Sequence, residues 1–225
     1  MWADFLKELT PQMWEVVALA TWETIYISFV STLLAALVGV PLGVLTFLTN
    51  AGEILQSRRL NLVLNVIINV GRSIPFIILL LILLPFTRFV VGQVLGTTAA
   101  IVPLCICAMP FVARLTANAL MEVPHGLTEA AKAMGATNWQ IISKFYLPEA
   151  LPTLVNGITL TLVTLVGYSA MAGTQGGGGL GSLAINYGVY RNMTYVTWVA
   201  TIIIVIFVMV CQKGGDELAK RVDHR

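Results

Sequence analysis

The stretch Glu129–Pro148, EAAKAMGATNWQIISKFYLP, is the longest polar interruption between hydrophobic segments long enough to cross a membrane. Gly135 can adopt the left-handed conformation that ends a helix. Thr137 and Gln140 have the spacing of a capping box at the start of another. Residues 147–152, LPEALP, contain two prolines, so we expect them to stop the second helix and open the next apolar segment. The stretch therefore predicts two short polar helices joined at a glycine, a compact surface on which a soluble partner can dock.

Composition places the rest of the chain in lipid. Of its 225 residues, 57% are hydrophobic and 11% are charged, and the mean hydropathy is +0.86. A soluble domain has about 25% charged residues. The net charge of +2 comes with no basic cluster that would indicate nucleic-acid binding. Three cysteines, all in apolar runs, favour packing roles over disulfides or a metal site.

The hydropathy pattern predicts an all-α integral membrane protein of five spans, forming a single transmembrane domain over residues 1–225. The N-terminal residues lack the basic region and cleavage site of a signal peptide, so we expect the first span to stay in the mature protein. The predicted spans are residues 24–48, 60–85, 98–120, 153–171 and 196–210, with a cytoplasmic loop at about 124–148. Gly39 and Gly43 have the small-xxx-small spacing that lets helices approach closely. Thr87 and Arg88 are expected to begin a loop.

The second predicted span carries an unusual polar face. Asn61, Asn65 and Asn69 recur every four residues and share one side of a helix, and Arg72 follows about one turn later. Such groups are costly in lipid, so they must face protein or water. Two interpretations stand equally: a hydrogen-bonded seam between helices, or the wall of a polar pathway.

Positive charges orient the chain. If the loop at 124–148 is cytoplasmic, most basic residues fall on that side, as the positive-inside rule requires. The N-terminus is then outside and the C-terminus is in the cytoplasm. The basic residues placed inside are Arg58, Arg59, Arg114, Lys132, Lys144, Lys213, Lys220, Arg221 and Arg225, and those placed outside are Lys7, Arg88 and Arg191.

No catalytic set is visible in the sequence. Residues 173–181 are rich in glycine and fit G-x-G-x-x-G by count, but no strand precedes them, so a dinucleotide site is rejected in favour of a flexible or tightly packed turn. His125 and His224 have no paired nucleophile or carboxylate at motif spacing. We therefore predict that the chain is not an enzyme and that energy for any transport comes from a partner.

The polar stretch resembles the EAA loop of ABC importer permeases. The residues that match are Glu129, Ala130, Ala131, Gly135, Leu147 and Pro148, with Phe145 standing where that pattern has an aliphatic residue. The resemblance implies the type I permease fold. It also implies that these six residues dock on a separate ATPase subunit, which binds the ATP, so that this chain needs no cofactor of its own.

Three further segments are similar to the methionine branch of these permeases: residues 71–76 (GRSIPF), 84–88 (LPFTR) and 166–171 (VGYSAM). The resemblance implies a homodimer in the bacterial inner membrane, two ATPase subunits, and a periplasmic or lipid-anchored binding protein that delivers methionine. Composition and spacing alone indicate only a membrane protein with a cytoplasmic docking loop.

Candidate residues for the translocation pathway are Tyr168, Ser169 and Met171, with Asn69 and Arg72 as weaker candidates. A thioether and an aromatic ring suit an apolar, sulfur-containing side chain, although a helix–helix seam explains the first three residues equally well.

The rival functions are an ABC permease for another amino acid, a secondary transporter or channel, and a membrane scaffold. A secondary transporter is disfavoured because no predicted span has a carboxylate at its centre.

Overall fold

The computed structural model of the chain describes residues 8–223, which form helices joined by short connections and contain no strand. The helices are α1 (Pro11–Leu48), α2 (Arg58–Ser73), α3 (Phe76–Ile82), α4 (Leu84–Val91), α5 (Thr97–Met121), α6 (His125–Ala133), α7 (Asn138–Ile141), α8 (Leu147–Gly173), α9 (Gly179–Leu183) and α10 (Thr194–Val222). Turns of π-helix lie at Ile142–Tyr146 and Ala184–Val189. Residues 1–7 of the N-terminal segment, which include Lys7, lie outside the described residues, as do His224 and Arg225.

Four helices are long and apolar enough to cross a membrane: Pro11–Leu48, Thr97–Met121, Asn138–Gly173 and Thr194–Val222. The pair α2 and α3 passes the same test only when taken together. The described part of the chain therefore offers four spans, or five if the bent pair is one span, and the all-α prediction is confirmed.

The second predicted span, residues 60–85, is not one straight helix in the structure. The chain bends by 100° between α2 and α3. Ile74 lies at the bend in an extended conformation, with ψ of 122°. Pro75 explains this conformation, because its ring disfavours helical geometry in the residue before it. The helical path resumes at Phe76, and Thr87 and Arg88 lie inside α4 instead of in the predicted loop.

The prediction that LPEALP stops the second polar helix is wrong. Helix α7 runs through the π-helical turn at Ile142–Tyr146 into α8 without a break. A π-helical turn shifts the hydrogen-bond pattern by one residue, so the helix can continue into Pro148. The end helices are also longer than the predicted spans, since α1 begins at Pro11, capped by Thr10, and α10 extends to Val222.

Helices α1 and α5 form the most extensive helix pair among the described residues. Gly39 and Gly43 lie at their contact, as the small-xxx-small spacing predicted. A Cβ atom at Gly39 would lie 2.7 Å from the Cβ atom of Val112. The absence of side chains at both positions lets the two backbones pack directly. Around them, Ile27, Leu104 and other buried residues form the central apolar core.

The glycine-rich segment is a tightly packed turn against α1. The Glu23 carboxylate accepts a hydrogen bond from the Gly179 N–H (2.7 Å), and the Thr24 hydroxyl oxygen accepts one from the Leu180 N–H (2.8 Å). Gly179 has φ of +78°, a conformation that favours glycine. These contacts join the first part of α1 to the connection between α8 and α10.

Candidate functional site

The coupling loop, defined here as residues 124–148, consists of α6, a turn at Gly135, and α7 with its π-helical turn. Gly135 has φ of +79°, as expected for a left-handed helix end. The Gln140 side-chain oxygen accepts from the Thr137 N–H at 2.8 Å, and the Thr137 hydroxyl accepts from the Gln140 N–H at 3.4 Å. The predicted capping box is therefore confirmed.

The two alanines of the EAA sequence point in different directions. Ala131 is fully buried and packs in a cluster with Ile141, Phe47 and Leu120. Glu129 and Ala130 are exposed, and Pro148 is exposed at the other end of the loop, with Leu147 half-buried. Ala131 thus packs α6 against the rest of the chain. Ala130 lies instead on the exposed face of the loop, its free surface.

Two large apolar side chains extend this free surface. Met134 and Trp139 are each 73% exposed. They lie on either side of the Gly135 turn, beside the exposed residues of α6. Apolar residues exposed in a polar loop are typical of a protein–protein interface.

Tyr146 anchors the coupling loop to the connection between α1 and α2. Its hydroxyl donates to the Glu53 carboxylate at 2.8 Å and accepts from the Thr128 hydroxyl at 3.2 Å. Its ring packs edge-on against Phe47, with centroids 4.9 Å apart. Sequence reasoning missed this anchor, because Glu53 and Tyr146 are far apart in the chain and neither belongs to a motif.

Replacing Tyr146 with phenylalanine should keep the ring packing and remove the hydroxyl that joins Glu53 to Thr128. The buried Thr128 hydroxyl would lose its acceptor, and leaving a buried polar group unsatisfied costs about 1–3 kcal/mol. We therefore expect the apparent Tm of the purified protein to fall by several degrees. Tyr190→Phe is the matched control, since Tyr190 is 75% exposed and should unfold as the wild type does. Equal transitions for both variants would contradict the anchoring role.

Replacing Gly135 with alanine should strain the turn of the coupling loop. A left-handed conformation costs an ordinary residue about 1–2 kcal/mol. Space is not the limit, because a Cβ atom there would meet nothing within 4 Å. Gly126→Ala is the control: it has equal space and an ordinary φ in α6, so alanine should stabilise that helix. Thermal unfolding should order the variants as Gly126→Ala, wild type, Gly135→Ala from most to least stable.

The asparagines of α2 form a hydrogen-bonded ladder. The Arg114 guanidinium of α5 donates to the Asn65 and Asn69 side-chain oxygens at 3.0 and 2.8 Å. The Asn65 amide donates to Asn61, whose own amide donates to the Thr46 carbonyl at the end of α1. For the asparagines, the structure favours the seam interpretation. Arg114 was not predicted as their partner, because the contact joins residues on different helices.

The other pathway candidates are dispersed. Arg72 and Tyr168 line one cavity of about 250 Å³ between α2, α5 and α8. Ser169 is buried and donates to the Val166 carbonyl of its own helix at 2.7 Å. Met171 is exposed and does not line this cavity. The structure therefore brings together two of the five predicted pathway residues.

Comparison with known proteins identifies the fold. The family model for the binding-protein-dependent transport system inner membrane component matches residues 39–224. The probable D-methionine transport system permease protein MetI of Haemophilus influenzae is 80% identical, over 95% of this chain and 100% of that protein. The D-methionine transport system permease protein MetI of Escherichia coli K12 is 53% identical, over 72% of this chain and 75% of that protein.

A solved structure extends the similarity to three dimensions. It is described as inward-facing conformations of the MetNI methionine ABC transporter, and its matching chain is 45% identical with a TM-score of 0.94. The match covers 96% of this chain and 100% of the other. The predicted type I permease fold is confirmed. The chain belongs to the family of binding-protein-dependent transport system inner membrane components, and it is a multi-pass ABC permease rather than an enzyme.

Proposed function

We propose that this chain is the permease subunit of a bacterial ATP-driven importer of methionine. The names of the most similar relatives support the substrate. The observation that carries the transport mechanism is the free surface of the coupling loop. Its exposed residues are Glu129, Ala130, Met134 and Trp139, while Ala131 and Ile141 of the same loop are buried. Such a surface can receive force from a moving partner and pass it to the spans, because α7 continues into α8.

In this proposal the coupling loop and the C-terminus face the cytoplasm, and the N-terminus faces outside. The geometry supports the relative placement. The last described residues, Val222 and Asp223, line a groove with Leu127 and Lys144 of the coupling loop. The first turns of α1 pack instead in a separate cluster with α9 and α10. The positive-inside rule then places the loop, with its lysines, in the cytoplasm.

The partners in this proposal are a second copy of the chain, two ATPase subunits and a periplasmic or lipid-anchored binding protein. The ATPases bind and hydrolyse the ATP, and this chain holds no cofactor. A pair of chains related by a two-fold axis supplies the pathway wall that one chain of this size cannot close. Each copy presents one coupling loop, which matches two ATPase subunits in number.

Purification of the tagged chain in mild detergent tests the assembly. We expect an ATPase to co-purify with it, at one copy per permease. The complex reconstituted with its binding protein should take up labelled methionine only in the presence of ATP. Absence of an ATPase from the purified complex would contradict the coupling mechanism.

Competition tests the substrate separately. Unlabelled methionine should suppress the uptake of labelled methionine at far lower concentrations than other amino acids. If histidine or leucine competes equally well, or better, the chain is an ABC permease for another amino acid. Uptake that follows an ion gradient instead of ATP would indicate a secondary transporter.

A further inference from the structure

Arg72 is the residue of the polar face of α2 that the amide ladder leaves out. Among residues 8–223, nothing forms a hydrogen bond, ion pair or ring contact with its side chain, which is exposed. It lies near the far end of a 16-residue helix, about 24 Å long by the helical rise. An arginine within a hydrocarbon layer about 30 Å thick is costly unless it faces water or an anion. Arg72 therefore has to face either water or an anion supplied from outside the described residues.

The other residues that line the cavity beside Arg72 are uncharged. Its volume is about 250 Å³, and its lining includes Cys107, Phe111, Thr161, Thr164 and Tyr168. The ring of Tyr168 is stacked on Phe76 of α3, with centroids 5.0 Å apart and planes within 1° of parallel. The bend between α2 and α3 is thus what places both Arg72 and the support of Tyr168 at the same cavity.

The free groups of this cavity suit a small amphipathic anion. The Thr161 and Thr164 hydroxyls donate to carbonyls of their own helix. The Tyr168 hydroxyl has no hydrogen-bond partner among residues 8–223. Guanidinium groups bind carboxylates through paired, charge-assisted hydrogen bonds. Aromatic rings and a thiol make favourable contacts with a thioether or another flexible apolar chain.

The charge of the lining is one-sided. Arg72 supplies a positive charge, and none of the lining residues is acidic. An amino-acid carboxylate therefore has a charged partner here, whereas its ammonium group has only hydroxyls and a ring face. Drug-sized ligands occupy pockets of about 300–1,000 Å³, so this cavity suits a smaller solute. Recognition should depend on the free carboxylate and on the apolar side chain.

We propose that this cavity is a binding site within the membrane for the transported amino acid. The carboxylate pairs with Arg72, and the side chain lies against Tyr168, Phe111 and Cys107. The proposal rests on the import function proposed above. It adds a position where the substrate is held by this chain after the binding protein has released it.

Cys107 provides a reporter inside the cavity. The chain has three cysteines, so Cys105→Ala with Cys211→Ala leaves Cys107 as its one thiol. In the purified complex with its ATPase, alkylation of Cys107 by N-ethylmaleimide should slow when methionine is added. Methionine methyl ester, which lacks the carboxylate, should protect much less. Arg72→Gln should remove the protection by methionine, while Arg72→Lys should keep part of it.

Each outcome decides the proposal. Protection that depends on both the carboxylate and Arg72 supports it. The proposal is overturned if methionine and its methyl ester protect Cys107 equally, or if Cys107 is not alkylated at all. ATP-driven uptake is measured in the same preparations, where Arg72→Gln should raise the KM for methionine about tenfold. If the complex takes up methionine normally but methionine does not protect Cys107, the binding site proposed here is wrong and the import function stands. If the wild-type complex transports no methionine, the proposed function itself fails.

Discussion

Charge reversal at Glu129 together with a bulky residue at Ala130 is expected to abolish ATP-driven uptake and leave the chain folded. Both residues are exposed on α6, and Glu129 makes no hydrogen bond or ion pair among residues 8–223. The variant Glu129→Arg with Ala130→Trp therefore removes little from the permease itself. At a docked interface, by contrast, a reversed charge and a large ring meet a surface shaped for a carboxylate and a methyl group, and like charges there cost several kcal/mol.

Co-purification measures how much ATPase stays bound to the variant, and an uptake assay measures its ATP-driven transport. We expect the double variant to lose most of the bound ATPase and to reduce ATP-dependent uptake at least about tenfold. Glu217→Arg is the matched control, because Glu217 is also an exposed carboxylate near the end of α10, and among residues 8–223 it pairs only with the exposed Arg221. That control should retain ATPase and uptake. Normal transport by the double variant would contradict a docking role for Glu129 and Ala130.

The coupling loop was predictable from sequence because its signals are local. The left-handed glycine and the capping box each act within one turn, and the structure reproduces both. The continuation through Pro148 was missed, since the π-helical turn at Ile142–Tyr146 overrides the usual effect of proline. The break at Pro75 was missed for the opposite reason: the apolar run on both sides of it suggested one span.

The contacts between helices could not be predicted in the same way. The periodic asparagines of α2 showed that a polar partner was required, but only the fold shows that Arg114 supplies it. The same contact separates Asn69 from Arg72, which sequence spacing had placed in one group. Burial of Ser169 likewise depends on how α8 packs, because a serine within a Gly- and Thr-rich span has the same pattern whether it faces a helix or a cavity.

The Gly43 contact should be the most sensitive packing position between the long helices. A Cβ atom on Gly43 would lie 2.5 Å from the Cβ atom of Thr116 and would also overlap the Ala113 carbonyl oxygen. A backbone atom cannot move aside as a flexible side chain can, so Gly43→Val must push α1 and α5 apart. Overpacking a well-packed core costs about 1–3 kcal/mol, and here the clash involves the backbone, so we expect about 3 kcal/mol or more.

The expected result for Gly43→Val is loss of the folded protein from detergent extracts, or a large fall in apparent Tm. Gly43→Ala should show the same effect in a milder form, which allows a measurement where valine prevents folding. Gly214→Val in α10 is the control, because a Cβ atom there meets nothing within 4 Å. Valine at both positions has the same helix propensity, so the difference between the variants isolates the contact of α1 with α5. Equal stability of Gly43→Val and Gly214→Val would show that the two helices can separate without cost, contrary to the packing described above.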